Sequence, residues 1–160
     1  MARQHQQQTH MGGIAPANGV PAKPTGPDPL VIWNECEPAP AERTYIARKG
    51  GKPDGLKVYS VDAPPFSVAG CDMRGYLVVP AYNLQTGELL TLQFIPPGEG
   101  KKLNLPGHPM AGAFTIPATA QGACTYIVEG IGQAWSAATQ PVALLWRLLV
   151  LATWRRLPRR

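Results

Sequence analysis

Residues 76–95 read YLVVPAYNLQTGELLTLQFI, and they decide the fold. Tyr76–Tyr82 is a nearly continuous β-branched and aromatic run, the composition of a central strand. Glu88–Ile95 alternates, so that Leu90, Leu92 and Phe94 share one side of an extended chain, with Thr91 and Gln93 on the other. Between the runs, NLQTGE supplies Asn83 and Gly87, residue types that tolerate positive φ. The pattern predicts two antiparallel strands joined by a tight turn. Pro80 has no N–H to give a ladder, which predicts a strand end or a sheet edge there.

Upstream, LKVYSV at 56–61 alternates like a half-buried strand, and APPFSVAGCDMRG at 63–75 reads as a loop. In PAPAERTYIARKGG (38–51), Tyr45 and Ile46 fall on one helical side and Gly50–Gly51 closes the segment. A short helix from Pro40 to Lys49 with a glycine C-cap is predicted. Residues 1–31 begin with a glutamine tract and continue in Gly, Ala and Pro. Such a stretch cannot bury enough apolar surface to offset its chain entropy, so disorder is expected there.

Downstream, PPGEGKK is a loop, KKLNLPG a short extended piece and GAFTI a strand. ACTYIVEG (123–130) is an apolar run ending in Glu129 and Gly130. IGQAWSAAT then places Ile131, Ala134, Trp135 and Ala138 at helical spacing. The last stretch, VALLWRLLVLATWRRLPRR, is apolar nearly all round and then strongly basic, and is expected to be a C-terminal helix or tail over 141–160. Together the patterns predict an α+β fold. A small antiparallel, hairpin-based sheet leads into a strand–helix unit over 38–138, between a disordered N-terminus and a basic C-terminal helix.

The 160 residues suffice for one modest domain, and 44% hydrophobic content gives it a core. Seventeen Gly and 18 Pro favour short elements and loops over long helices. A net charge of +5 permits contact with nucleic acid or an acidic surface. Cys36, Cys71 and Cys124 lie far apart, no C-x-x-C pair occurs, and His5, His10 and His108 have no ligand spacing, so zinc is not expected. An odd cysteine count behind a polar N-terminus points to a cytoplasmic setting. The longest apolar run, Val142–Trp154, is broken by Arg147 and well short of the ~20 residues that span a bilayer, so no membrane association is expected.

Several phrases, in order, resemble the Toprim-domain primases of phages and conjugative plasmids. YIARKG is similar to that family's short helix. LVVPAYNLQTGELLTLQFIPPGEGKKLNLPG is similar to its hairpin and Lys-rich loop, GAFTI to its next strand, and TYIVEGIGQAWSA to its first Toprim motif. The resemblance covers about Tyr45 to Ala137 and implies phosphoryl-transfer chemistry on nucleic acid. It makes Glu129 the motif glutamate and implies Mg2+, because charge developing on phosphoryl oxygens needs a hard cation held by carboxylates. The family completes that site with a later Asp-x-Asp, and no Asp or Glu follows Glu129 here. The resemblance therefore implies a truncated Toprim-like α/β unit whose tail has left the family's frame or ended early. Two function classes follow. The first is a degenerate primase domain that binds single-stranded nucleic acid without a complete catalytic site. The second is a non-enzymatic mobile-element protein that modulates a host or element-encoded replication or defence complex.

Five residues carry the functional expectation. Glu129 is the catalytic and metal-ligand candidate, against a plain reading as a carboxylate favoured by a helix N-terminus. Lys101 and Lys102 in the Gly-rich loop, and Arg48 and Lys49 at the end of the short helix, are phosphate contacts or solvated surface. GEGKK lacks the G-x-x-x-x-G-K-[ST] spacing of a phosphate-binding loop.

Overall fold

The structure, a computed structural model, describes residues 24–83, 85–115, 124–138 and 146–151. The expected hairpin is its centre. Strand β5 (Leu77–Asn83) pairs antiparallel with β6 (Leu89–Ile95), in a register that sets Leu77 opposite Ile95 and Val79 opposite Gln93. The turn works differently from the expectation at Asn83. Of Asn83 and Gly87, only Gly87 takes a positive φ, of 74°. Asn83 instead uses its side chain, whose Oδ1 accepts from the backbone of Gln85 and Thr86 at 2.8 and 3.2 Å.

The other elements arrange around this pair. On one edge of β5, β2 (Lys57–Tyr59) pairs with Leu77–Val78 and β8 (Ala113–Thr115) pairs with Tyr82–Asn83. Beyond β2 lies β1 (Cys36–Pro38), and β7 (Leu103–Asn104) pairs with the far side of β6. Beyond β8 lie β10 (Trp146–Leu151) and then β9 (Cys124–Val128), with β9 and β10 parallel. Helix α3 (Ile131–Ala138) connects toward β10, so the chain closes with a β–α–β unit on an otherwise antiparallel sheet.

Pro80 lies inside β5, not at its end. Opposite Leu92, it sits between the stretch held by β2 and the stretch held by β8, where the sheet needs no N–H. Its carbonyl accepts from the Thr115 hydroxyl. Pro80 is thus at neither a strand end nor a sheet edge; it is the middle of three residues, 79–81, that have no strand partner among the described residues on the side shared by β2 and β8.

Side chains of β5 alternate between two cores. Val78, with Leu92 and Phe94, packs under Ile32, Cys36, Tyr59, Met73 and Leu105. Leu77, Val79 and Ile95 face Tyr45, Ile46, Leu56, Ile131 and Trp135. Leu90 does not join Leu92 and Phe94 as its parity predicted. The register steps from Ala81–Thr91 to Tyr82–Leu89, so Leu90 is the extra residue of a β-bulge. A one-residue step inverts facing, which sends Leu89 to the first core and Leu90 to a third cluster with Ala81, Met110 and Ala113.

Helix α2 spans Thr44–Arg48, shorter than the expected Pro40–Lys49. Its end is as read: Gly50 has φ 59°, Gly51 N donates to Ile46 O at 2.9 Å and Gly50 N to Ala47 O at 3.1 Å, a Schellman closure. Three expectations are corrected. Disorder to residue 31 fails from Asp28 onward, because α1 (Pro29–Asn34) begins there with Asp28 accepting from Leu30 N at 2.8 Å and Pro29 in the first turn. Residues 1–23 of that expectation lie outside the described residues. The stretch 63–75 is not wholly loop, since β3 (Ser67–Val68) and β4 (Cys71–Asp72) form a small hairpin turning at Ala69–Gly70, both at positive φ. The expected C-terminal helix is a strand over 146–151. An apolar run with no clear period serves a buried strand as well as a buried helix, and the place between β8 and β9 selects the strand. The remainder of 141–160 lies outside the described residues.

Cys36 belongs to the first core and donates its Sγ–H to Ile32 O at 3.2 Å. Burial, ahead of the influence of Lys57 and Glu35, pushes its thiol from 9.0 up to about 12. The folded chain therefore holds that proton across a window in which the unfolded chain loses it. The contribution of this thiol to stability is full below pH 9 and is lost as pH rises toward 12. Urea midpoints compared between pH 8 and pH 10 are expected to drop less in Cys36→Ala than in the native chain. Alkylation followed by peptide mapping is expected to mark exposed Cys71 while leaving Cys36 unreacted until the protein unfolds.

Candidate functional site

The β9–α3 turn is built by its glycines and by Gln133. Gly130 O accepts from Gln133 N and Ala134 N, which starts the helix. Gln133 Oε1 reaches back to accept from Glu129 N at 3.2 Å, securing the residue two before the helix. Ile131 and Trp135, one turn apart, anchor α3 in the second core beside Tyr45 and Ile46 of α2. The Tyr45 and Trp135 rings lie 6.2 Å apart at 54°.

Small residues let three elements converge here. A Cβ on Gly132 would lie 3.3 Å from the Tyr45 hydroxyl and 3.4 Å from Lys49 Cδ. One on Gly130 would lie 3.6 Å from Lys102 Nζ. Tyr45, Lys49, Lys102, Glu129, Gly130, Gly132 and Gln133 together line an open cavity of about 310 Å3. Lys102 Nζ stands 5.4 Å from the centroid of the Tyr45 ring, and the Arg48 guanidinium 5.8 Å from it.

Of the five residues singled out by sequence, Lys49, Lys102 and Glu129 line the cavity. Arg48 borders it through the Tyr45 ring, and Lys101 is exposed on the adjoining loop without lining it. Sequence reasoning missed Tyr45 and Gln133. Tyr45 was legible only as an apolar helix residue, and its side chain is indeed 7% exposed. Gln133 in the third helical position carried a signal, since Glu or Gln there commonly reaches back over a helix start.

The cavity's charge favours an anion. Two lysines and the amino-terminal end of an eight-residue helix share the lining with one glutamate. The donor set does not fit Mg2+. All ten Asp and Glu of the chain fall among the described residues, and no three His, Cys, Asp or Glu side chains there gather into a metal site. Mg2+ dehydrates reluctantly and is held through several oxygens, whereas Glu129 would offer one carboxylate among lysines. Among the described residues, no helix is long and apolar enough to cross a membrane. Comparison of the chain with family models, curated proteins and solved structures finds no match.

Gly51 couples this site to the fold. A Cβ there would overlap the buried Trp135 indole, because the α2 closure lies directly on that ring. Gly51→Ala is expected to destabilise the protein by about 1–3 kcal/mol through overpacking, read as a lowered urea midpoint. An unchanged midpoint would mean that the α2–α3 contact is slack.

Proposed function

We propose that this chain is a Toprim-primase-like module, cytoplasmic, that binds single-stranded nucleic acid through backbone phosphates and does not itself synthesise primers. The observation that supports the reading most directly is the gathering of Lys49 and Lys102 around the Glu129–Gly130 turn, at the carboxyl end of β9 and the start of α3. The carboxyl end of a parallel strand, followed by a helix start, is where open α/β sheets receive phosphorylated ligands. Lys49 and Lys102 come from elements far apart in sequence, and both line the cavity, with the Lys102 Nζ beside Gly130. The Tyr45 face is already occupied by cations, so it serves to position Lys102 and Arg48 and is not a free platform for a base.

Charge dominates such binding, and it is salt-dependent. Each phosphate neutralised on a single strand contributes about −0.7 to the slope of log K against log salt. With two to four cations engaged, the total slope is expected to lie between about −1.4 and −2.8. In a titration of an oligothymidylate, Lys102→Ala is expected to weaken binding and flatten the slope by about 0.7, and Lys101→Ala to do less. Equal effects of the two substitutions would show a solvated loop with no focus at the cavity. No binding by the native chain at low salt would overturn the reading.

Catalysis is expected to be absent. A labelled-nucleotide incorporation assay with Mg2+ or Mn2+ should give only background for the native chain and for Glu129→Gln alike. Incorporation that disappears in Glu129→Gln would reveal a metal site and overturn the non-catalytic part of the proposal.

A further inference from the structure

Arg43 stands just outside α2, with φ −52° and ψ 126°, and closes the turn before the helix through Arg43 N to Pro40 O at 3.1 Å. Its side chain folds toward the turn that precedes β5, where a Cβ on Gly75 would lie 3.9 Å from Nη2. Nε and Nη2 are buried there and find no acceptor among the described residues. Nη1 is not among the buried unpartnered atoms, so the guanidinium has one end in solvent and one edge enclosed.

That edge has a defined chemistry. Nε–H and Nη2–H point the same way and form the two-pronged fork with which arginine grips an oxyanion. Arg74, close by in sequence to Gly75, uses the same two nitrogens to hold Asp72. Asp72 is therefore already engaged, and the same contact draws its carboxyl below the ordinary range. Glu37 accepts from the Ser60 hydroxyl at 2.6 Å. Every Asp and Glu of the chain lies among the described residues, and none forms an ion pair with Arg43. Enclosed cationic donors without an acceptor are rare in folded proteins and mark a group that awaits a partner.

We propose that Arg43 is an oxyanion receptor and that its ligand is a phosphate group. The choice of a phosphate belonging to a nucleic-acid strand rests on the function proposed above. The placement agrees with that choice. Arg43 precedes α2 and Lys49 follows it, about 9 Å apart along the axis at 1.5 Å per residue, so the two could engage separate phosphates of one extended strand.

The test uses the full native chain and reads the Arg43 Nε–Hε resonance by NMR while sodium phosphate is added, with sodium chloride and sodium acetate at equal ionic strength as the comparisons. A saturable shift with phosphate that chloride does not produce is expected. No shift, or the same shift in chloride, overturns the receptor, and a response to acetate without phosphate overturns the phosphate assignment. Oligothymidylate titrations supply the second measurement. Arg43→Gln is expected to weaken binding about tenfold and flatten the salt slope by about 0.7, while Arg43→Lys restores the slope but not the full affinity. If phosphate shifts the resonance but the native chain binds no oligonucleotide, the receptor stands and the nucleic-acid reading falls. If the native chain and both variants bind alike and the resonance is still, the receptor falls and the reading stands.

Discussion

Strand β5 is covered on both faces and paired on both edges, and the other elements are placed by that requirement. A strand enclosed in this way must be apolar at every position, which is why Leu77–Ala81 shows no alternation and is buried throughout. One face needs a cover supplied by α1 and the β3–β4 hairpin, and the other a cover supplied by α2 and α3. The edge toward β2 and β8 is shared between two strands, and the break between them is where Pro80 is tolerated. A proline that would harm a continuous ladder costs little at a position where two partners change over.

The candidate site is a by-product of the second cover. To cap Leu77, Val79 and Ile95, α2 and α3 must lie side by side, and Gly51, Gly130 and Gly132 allow that approach. Their contact sets the end of α2 beside the start of α3 and the loop that carries Lys102. Site geometry and stability are thus coupled, because Tyr45 packs against Trp135 in the core and also borders the cavity. The electrostatic balance then limits the chemistry. Lysines around a single carboxylate hold an anion far better than they assist a divalent cation.

Much of the architecture was readable from local pattern. The hairpin, the Schellman end of α2 and the strand–turn–helix at Glu129 each rest on chemistry that acts over a few residues: alternation, a glycine at positive φ, a helix start. The cap of α1 at Asp28–Pro29 is equally local, but the composition of the preceding stretch points to disorder instead. The bulge at Leu90 was not legible, because alternation in one strand does not reveal how its partner is registered.

For the site, the sequence by itself determined which residue types were present: a glutamate–glycine turn after an apolar run, lysines in a glycine-rich loop, an arginine–lysine pair ending a helix, and no acid beyond Glu129. Only the tertiary structure decided which of them meet. Lys102 lines the cavity and Lys101 does not, although they are neighbours in one exposed loop and identical in chemistry. Tyr45 became a wall of the site, Arg43 was left with an enclosed and unanswered edge, and the apolar 146–151 became a strand. The reason is the same in each case. These outcomes depend on the packing of elements distant in sequence, and no periodicity or capping rule within one segment carries that information.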